Sequence, residues 1–398
     1  MSRWPGVLPY GRQYVDDADI EAVNQVLRGD FLTTGPSVEA FEKAFATAVD
    51  APYAVACSNG TTGLHIALQG LGVTEDDIVI VPSVTFMATA NAARYCGAEV
   101  VFADVDPATG IMRPSDLEAA LKRAKGPVKA VMIVHLAGQT GDLPEISRIA
   151  KAAGAFLVED ACHAVGTLAH GGKVGSTPFS DACVFSFHPV KTIACGEGGM
   201  VTTRDAEVAA RMTRLRGHGI ERRPDQYRNK TLALSPAGTP NPWYHEMHEL
   251  GNNYRLDDIS CALGLSQLKK LSWFADRRRA LTARYDAALK VLAPWVQPTE
   301  KLPANDPVLH LYVVRIDYAG LRTDRASFMA ALKDRGVGTQ VHYIPVHHQP
   351  YYVERQGTVD LPGADGYYAA CLSLPLFIGM SDEDVDHVVA SLTALTKR

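Results

Sequence analysis

Between residues 54 and 205 short apolar runs alternate with helical patterns, and this alternation constrains the fold more than any other feature of the chain. The runs are DIVIVP (77–82), EVVFADV (99–105), VKAVMIVHL (128–136), AFLVED (155–160), DACVFSF (181–187) and GMVTT (199–203). TTGLHIALQGL (61–71) and SDLEAALKRA (115–124) lie between them and carry helical patterns. Short strands joined by helices predict a largely parallel sheet covered on both faces, the α/β class. Gly196, Gly198 and Gly199 leave too little room for a helix between the last two runs. That predicts an antiparallel pair at this place.

Later segments differ. Residues 221–250 are polar and proline-bearing, without clear period. A loop of this length is usually functional or disordered. RLDDISCALGLSQLKKL (255–271) then places apolar residues at 256, 259, 263 and 268, a helical stripe. A long helix over 273–292, a strand LHLYVVRI (309–316), a helix over 324–336, a strand GTQVHY (338–343) and a helix near 381–396 complete a smaller α+β unit. With 398 residues, two domains are expected: 1–255 with an N-terminal arm, and 256–398.

Composition bounds the partners. The net charge is −5 and no long basic run occurs, so nucleic acid and anionic membranes are not expected. No run of 18 apolar residues suggests a membrane span. Seven cysteines, unpaired in spacing and without CxxC, fit reduced thiols in a cytoplasmic enzyme. The N-terminus shows no signal-peptide pattern.

Ligands of open α/β sheets sit beyond the carboxyl ends of the strands. Asp160 ends AFLVED, Ser186 and Lys191 fall at the end of ACVFSF, and SNGTTGLHIAL (58–68) turns into a helix. Free N–H groups and the dipole at such a helix start suit a phosphate. A phosphate cradle, a carboxylate and a lysine are what a pyridoxal 5′-phosphate (PLP) enzyme requires. The glycines of GEGG (196–199) run into a strand, so they are not a dinucleotide fingerprint. HYIPVHH (342–348) lacks metal-ligand companions at the usual spacings, and no metal is expected.

FLTTGPSVEAFEKAFA, PSVTFMATANAARYCGAEVVFADVD, VEDACHAVG, FSFHPVKTIACGEGGMVTT and GNNYRLDDISCALGLSQLKKL resemble motifs of the DegT/DnrJ/EryC1/StrS sugar-nucleotide aminotransferases. The likeness spans essentially the whole chain. It implies a fold type I PLP-dependent transferase with a mixed, mostly parallel seven-stranded sheet. By position, Lys191 matches the lysine bonded to the cofactor, Asp160 the partner of the ring nitrogen and His163 the residue beside the ring hydroxyl. Gly60, Thr61 and Ser186 match phosphate binders, and Phe86 matches the aromatic stacked on the ring. Asn59 stands where the family commonly has serine. The resemblance also implies a homodimer with shared sites, in which Asn253 and Arg255 reach the neighbouring subunit's phosphate and amino-donor carboxylate. Thr33, His342 and Tyr343 are expected on the substrate side.

Several stretches look like the 4-aminotransferases of the pseudaminic acid pathway, among them LPYGRQYVDDADIEAVNQVLRGDFLTTGP and GTQVHYIPVH. Those enzymes use L-glutamate and a UDP-linked 4-keto sugar. The rivals are an aminotransferase for another GDP-, dTDP- or UDP-linked keto sugar and a non-enzymatic regulatory protein. A sugar dehydratase of the same fold would carry histidine in place of Lys191.

Overall fold

In the computed structural model, which describes Trp4 and residues 6–397, seven strands form one sheet. In spatial order they are Tyr53–Cys57, Gly199–Thr203, Ala182–Ser186, Phe156–Asp160, Val128–Val134, Ile78–Pro82 and Glu99–Ala103. Gly199–Thr203 runs antiparallel to both of its neighbours, and every other pair is parallel. The expected sheet and its one antiparallel turn are therefore both present. Tyr53–Cys57 is the strand that the alternation does not announce. It is an edge strand whose first residue is exposed.

The sheet is buried on both faces because successive side chains point to opposite sides. In Ala182–Ser186, Ala182 and Val184 join a core with Leu64, Ile66, Ile80 and Val131. Cys183 and Phe185 join the other core, with Phe41, Phe45 and Phe187. Phe45 of helix Pro36–Ala48 meets Phe185 at 5.0 Å and Phe187 at 5.4 Å, both edge to face. Such pairs add about 0.5–1.5 kcal/mol each beyond the area that they bury.

A second, three-stranded antiparallel sheet is built from Val296–Pro298, Tyr312–Ile316 and Cys371–Leu374. Helices Arg325–Asp334 and Asp382–Thr396 accompany it, with Phe328, Leu332, Val385 and Val388 in its core. Residues 338–343, expected as a strand, instead cross toward the large sheet with only a bridge from Gln340 to Ser373. His342 Nδ1 also meets the side chain of Ser373, at 2.8 Å from its Oγ.

Helix Asp258–Leu268 packs on the large unit: Cys261 lies in the core with Phe41 and Phe45. Gly264 is needed there, because a Cβ would stand 2.7 Å from the Phe41 ring. Phe274 still belongs to that core, and Leu281 and Tyr285 of the same helix Leu271–Ala288 belong to the small unit's core. We propose that the two units meet within this helix rather than at 255/256. Leu8 ties the N-terminal arm to the small unit through bonds with Gly336 and Gly338.

The polar segment 221–250 is ordered as an arm. Ile220–Glu221 pairs with Glu246–Met247. Within it the Glu246 carboxylate accepts the N–H groups of Arg228 and Asn229 and the Tyr244 hydroxyl. Trp243, Met247 and Leu250 stand exposed on this arm.

Candidate active site

The carboxyl ends of the parallel strands and the loops that follow them enclose a cavity of about 460 Å³. Lys191, Asp160, His163, Gly60, Thr61, Phe86, Ser186, His342 and Tyr343 all line it. Residues from the start of the chain to its C-terminal third are thus brought to one place.

Helix Gly60–Gly70 starts at the cavity wall. Asn59 caps it: its side chain accepts Thr62 N–H at 2.9 Å, and Thr62 Oγ1 accepts Asn59 N–H at 3.1 Å. The serine-like role expected at this position is filled by asparagine, a good N-cap. The N–H groups of Gly60 and Thr61 have no intrahelical acceptor, being in the first turn, and both residues line the cavity. A Cβ at Gly60 would stand 3.0 Å from Ser186 Cβ and 3.1 Å from Cys162 Sγ, so a larger residue here would press on both neighbours.

Asp160 is the last residue of its strand and is buried. Its Oδ2 accepts the Thr89 hydroxyl at 2.7 Å and its Oδ1 accepts Cys162 N–H at 3.2 Å. Thr85 lies 2.7 Å from Thr89 and extends this chain of hydroxyls. The carboxylate is held by a donor on each oxygen, and Asp160 lines the cavity.

Lys191 lies in the loop after Ala182–Ser186, where its N–H closes a turn onto His188 at 2.8 Å. Burial pulls its ammonium below the usual lysine range. His163 accepts Ala137 N–H on Nδ1 at 3.2 Å. In the neutral ring the proton is therefore on Nε2, which donates to the Tyr343 hydroxyl at 3.0 Å. Burial holds the His163 pKa well below its ordinary value and raises that of Tyr343. Phe86, more than half exposed, stands at the mouth with its ring 6.1 Å from that of Tyr343.

The sequence profile of the DegT/DnrJ/EryC1/StrS aminotransferase family matches residues 13–393. The chain belongs to that family. It is 37% identical over 98% of its length to the spore coat polysaccharide biosynthesis protein SpsC of Bacillus subtilis, of which it covers 97%. Its fold matches that of Helicobacter pylori PseC, an aminotransferase involved in the biosynthesis of pseudaminic acid. The TM-score is 0.88 at 28% identity, covering 98% of this chain and 99% of that one. A chain from Streptococcus pneumoniae solved in its PLP form matches with a TM-score of 0.87 at 25% identity, over 98% of both chains. The architecture is that of the fold type I transferases.

Three residues singled out from the family likeness lie outside the cavity. Thr33 and Asn253 are exposed. Arg255 lines surface clefts with Thr34 and Arg216. Its Nε is buried without a hydrogen-bond partner among the described residues. Other lining residues carry no local signal in the sequence: Tyr10 of the N-terminal arm and His310, whose ring lies 4.6 Å from that of His163. Thr89 is likewise apparent only in three dimensions, 71 positions from its partner Asp160.

Proposed function

We propose that this aminotransferase moves the amino group of L-glutamate to C4 of a UDP-linked 2-acetamido-2,6-dideoxy-4-keto sugar of L-arabino configuration. The product would be UDP-4-amino-4,6-dideoxy-N-acetyl-β-L-altrosamine, a step toward pseudaminic acid. Sugar aminotransfer with PLP follows from the family. The observation that carries the reading is the meeting of Lys191 and Asp160 in one cavity with a bare helix start. The choice of sugar is supported by likeness to the pseudaminic acid aminotransferase over almost the whole chain.

The residues fit the cofactor. The first-turn N–H groups of Gly60 and Thr61, with Ser186, would hold its phosphate. Asp160 would face the ring nitrogen and keep it protonated, and Phe86 would cover the ring at the mouth. Tyr343, which receives the His163 proton, has its own hydroxyl proton free to donate into the cavity. Bound PLP supplies an aldehyde carbon for amines and a ring that accepts the electron pair left by a departing proton.

Lys191 then has two tasks. Its amine must be neutral to bond to an aldehyde carbon, and burial lowers its pKa in that direction. Once displaced by the incoming amine, it can carry the proton from the donor's α-carbon, as a general base and then a general acid. The same residues serve the reverse sequence on the keto sugar, since both halves pass through one site.

We also propose that two chains share each site. Thr33, Asn253 and Arg255 are absent from the lining of their own cavity, and the exposed Phe31 and Leu32 immediately precede Thr33. Loop and helix are held together by Asp258, which accepts Gly35 N–H at 2.7 Å and donates its N–H to Leu32 at 3.0 Å. Arg255 would present its guanidinium to the donor carboxylate in the partner's cavity.

A second reading is another nucleotide-linked keto sugar. It is favoured by the higher identity, 37%, to a spore coat polysaccharide protein. Incubation with glutamate and a panel of UDP-, GDP- and dTDP-linked keto sugars, followed by product stereochemistry, decides between them. Turnover of the UDP-linked L-arabino substrate to the 4-amino L-altro product supports the first reading. Preference for any other substrate overturns it.

A further inference from the structure

Outside the cavity's lining, three donor atoms converge from two segments: those of the adjacent His347 and His348, and that of Asp365. All lie within 4.8 Å of one another. His348 Nε2 is 2.6 Å from Asp365 Oδ1, and His347 Nε2 is 3.7 Å from the same oxygen. The two imidazole rings stand 3.9 Å apart.

His347 makes this cluster more than a surface ion pair. It is 2% exposed, and its Nε2 is buried with no hydrogen-bond partner among the described residues. A buried polar atom left unpaired is costly, and nothing in the contact between His348 and Asp365 relieves it. The other ring nitrogen is engaged: Nδ1 lies 2.5 Å from Ser83 Oγ. If Nδ1–H donates to that hydroxyl, Nε2 is an unprotonated lone pair aimed at the cluster. This is how an outer partner orients a metal-ligating histidine.

We infer that His347, His348 and Asp365 form a site for a divalent cation of the zinc type. Two imidazoles and a carboxylate suit such an ion, with water completing the coordination. Ligand bonds of about 2.0–2.1 Å in a tetrahedron place donor atoms roughly 3.3 Å apart. The observed 2.6 and 3.7 Å straddle that spacing. His348 and Asp365 are about half exposed, so small rotations close the difference and an ion can enter from solvent.

The site, with Ser83 as its outer partner, joins three segments, two of which lead to residues that line the cavity. Ser83 follows strand Ile78–Pro82, leads to Phe86 and Thr89, and accepts Val346 N–H at 2.8 Å. His347 follows His342 and Tyr343 in the chain. Asp365 lies in the first turn of helix Pro362–Ala370. The ion is therefore a structural clamp that holds the Tyr343 loop against the strand end and takes no part in amino transfer. Spacing alone does not reveal it, because the third ligand comes from a separate helix.

The test is titration of the chelator-treated, PLP-loaded enzyme with zinc chloride by calorimetry, with the melting temperature followed in parallel. The wild type binds about one ion per chain and gains thermal stability. His348→Ala and Asp365→Asn, both at accessible positions, weaken binding by at least about 100-fold, and Ser83→Ala by roughly 10–100-fold. His248→Ala is the control: its pair with Glu246 at 2.7 Å lies on the separate arm, and binding stays as in the wild type. The inference is overturned if the wild type takes up no zinc. It is equally overturned if His348→Ala and Asp365→Asn bind as the wild type does, or if uptake is abolished by alkylating the cysteines instead.

Discussion

Beside Lys191, Asp160 and His163 are held by partners from the same chain, whereas near Arg255 the side chains of Thr33 and Asn253 are exposed. Asp160 has a donor on each oxygen, and both His163 nitrogens are engaged. Arg255 keeps a buried Nε without a partner, and Asn253 and Thr33 point to solvent beside exposed apolar side chains. The cavity gathers the residues of one chain that would meet the cofactor ring. A polar, apolar-rimmed face with unmet hydrogen bonds is what a surface looks like when its partners belong to another molecule. On this view the first region does the chemistry and the second lends its groups to a neighbouring chain.

The largest effect should come from the first region. Lys191→Ala removes both the covalent anchor and the proton carrier, and glutamate-dependent 2-oxoglutarate formation should fall by about 10⁴-fold or more. Retained melting temperature would show that the fold is intact, and near-normal turnover would remove Lys191 from its role. Asp160→Asn keeps the shape but not the charge. A fall in kcat of about 10²–10³-fold is expected, with cofactor still bound by absorbance.

Acid should probe stability through two buried histidines. Burial lowers His342 to about 4, and His65, beside Tyr254, also to about 4. Their neutral forms are favoured in the folded chain, so the unfolded chain takes up protons first. Stability is then full above about 6.5 and is lost as the pH falls toward about 4, by up to about 3 kcal/mol for each histidine. Melting temperatures across that window check it, and His65→Gln should flatten the slope. The smallest effect belongs to the second region. Arg255→Lys keeps charge but loses the bidentate fork, and the KM for glutamate should rise about tenfold while that for the keto sugar stays unchanged.

The alternation of apolar runs and helices made the central sheet readable, because a strand buried on both faces is apolar along its length. Tyr53–Cys57 escaped notice since its exposed start blurs the pattern. The run 338–343 misled for the opposite reason: its Val341 and Tyr343 pack against the large core as a crossing loop and not in a ladder. In the site, Lys191, Asp160, Ser186 and the Gly60–Thr61 helix start could be placed from strand ends and turns, and the others needed the family likeness. Thr89, Tyr10 and His310 were illegible because their contacts join distant segments, as Asp365 does for His347.

The division of labour between the two regions is tested most directly by mixing two defective chains, Lys191→Ala and Asn253→Ala/Arg255→Ala, under distinct tags. In a verified hybrid dimer one site combines an intact Lys191 with the partner's intact Asn253 and Arg255, and the other site carries every defect. Activity should return to at most half that of the wild type per dimer. Verified hybrids that recover no activity, or a fully active monomer, would contradict a site shared between chains.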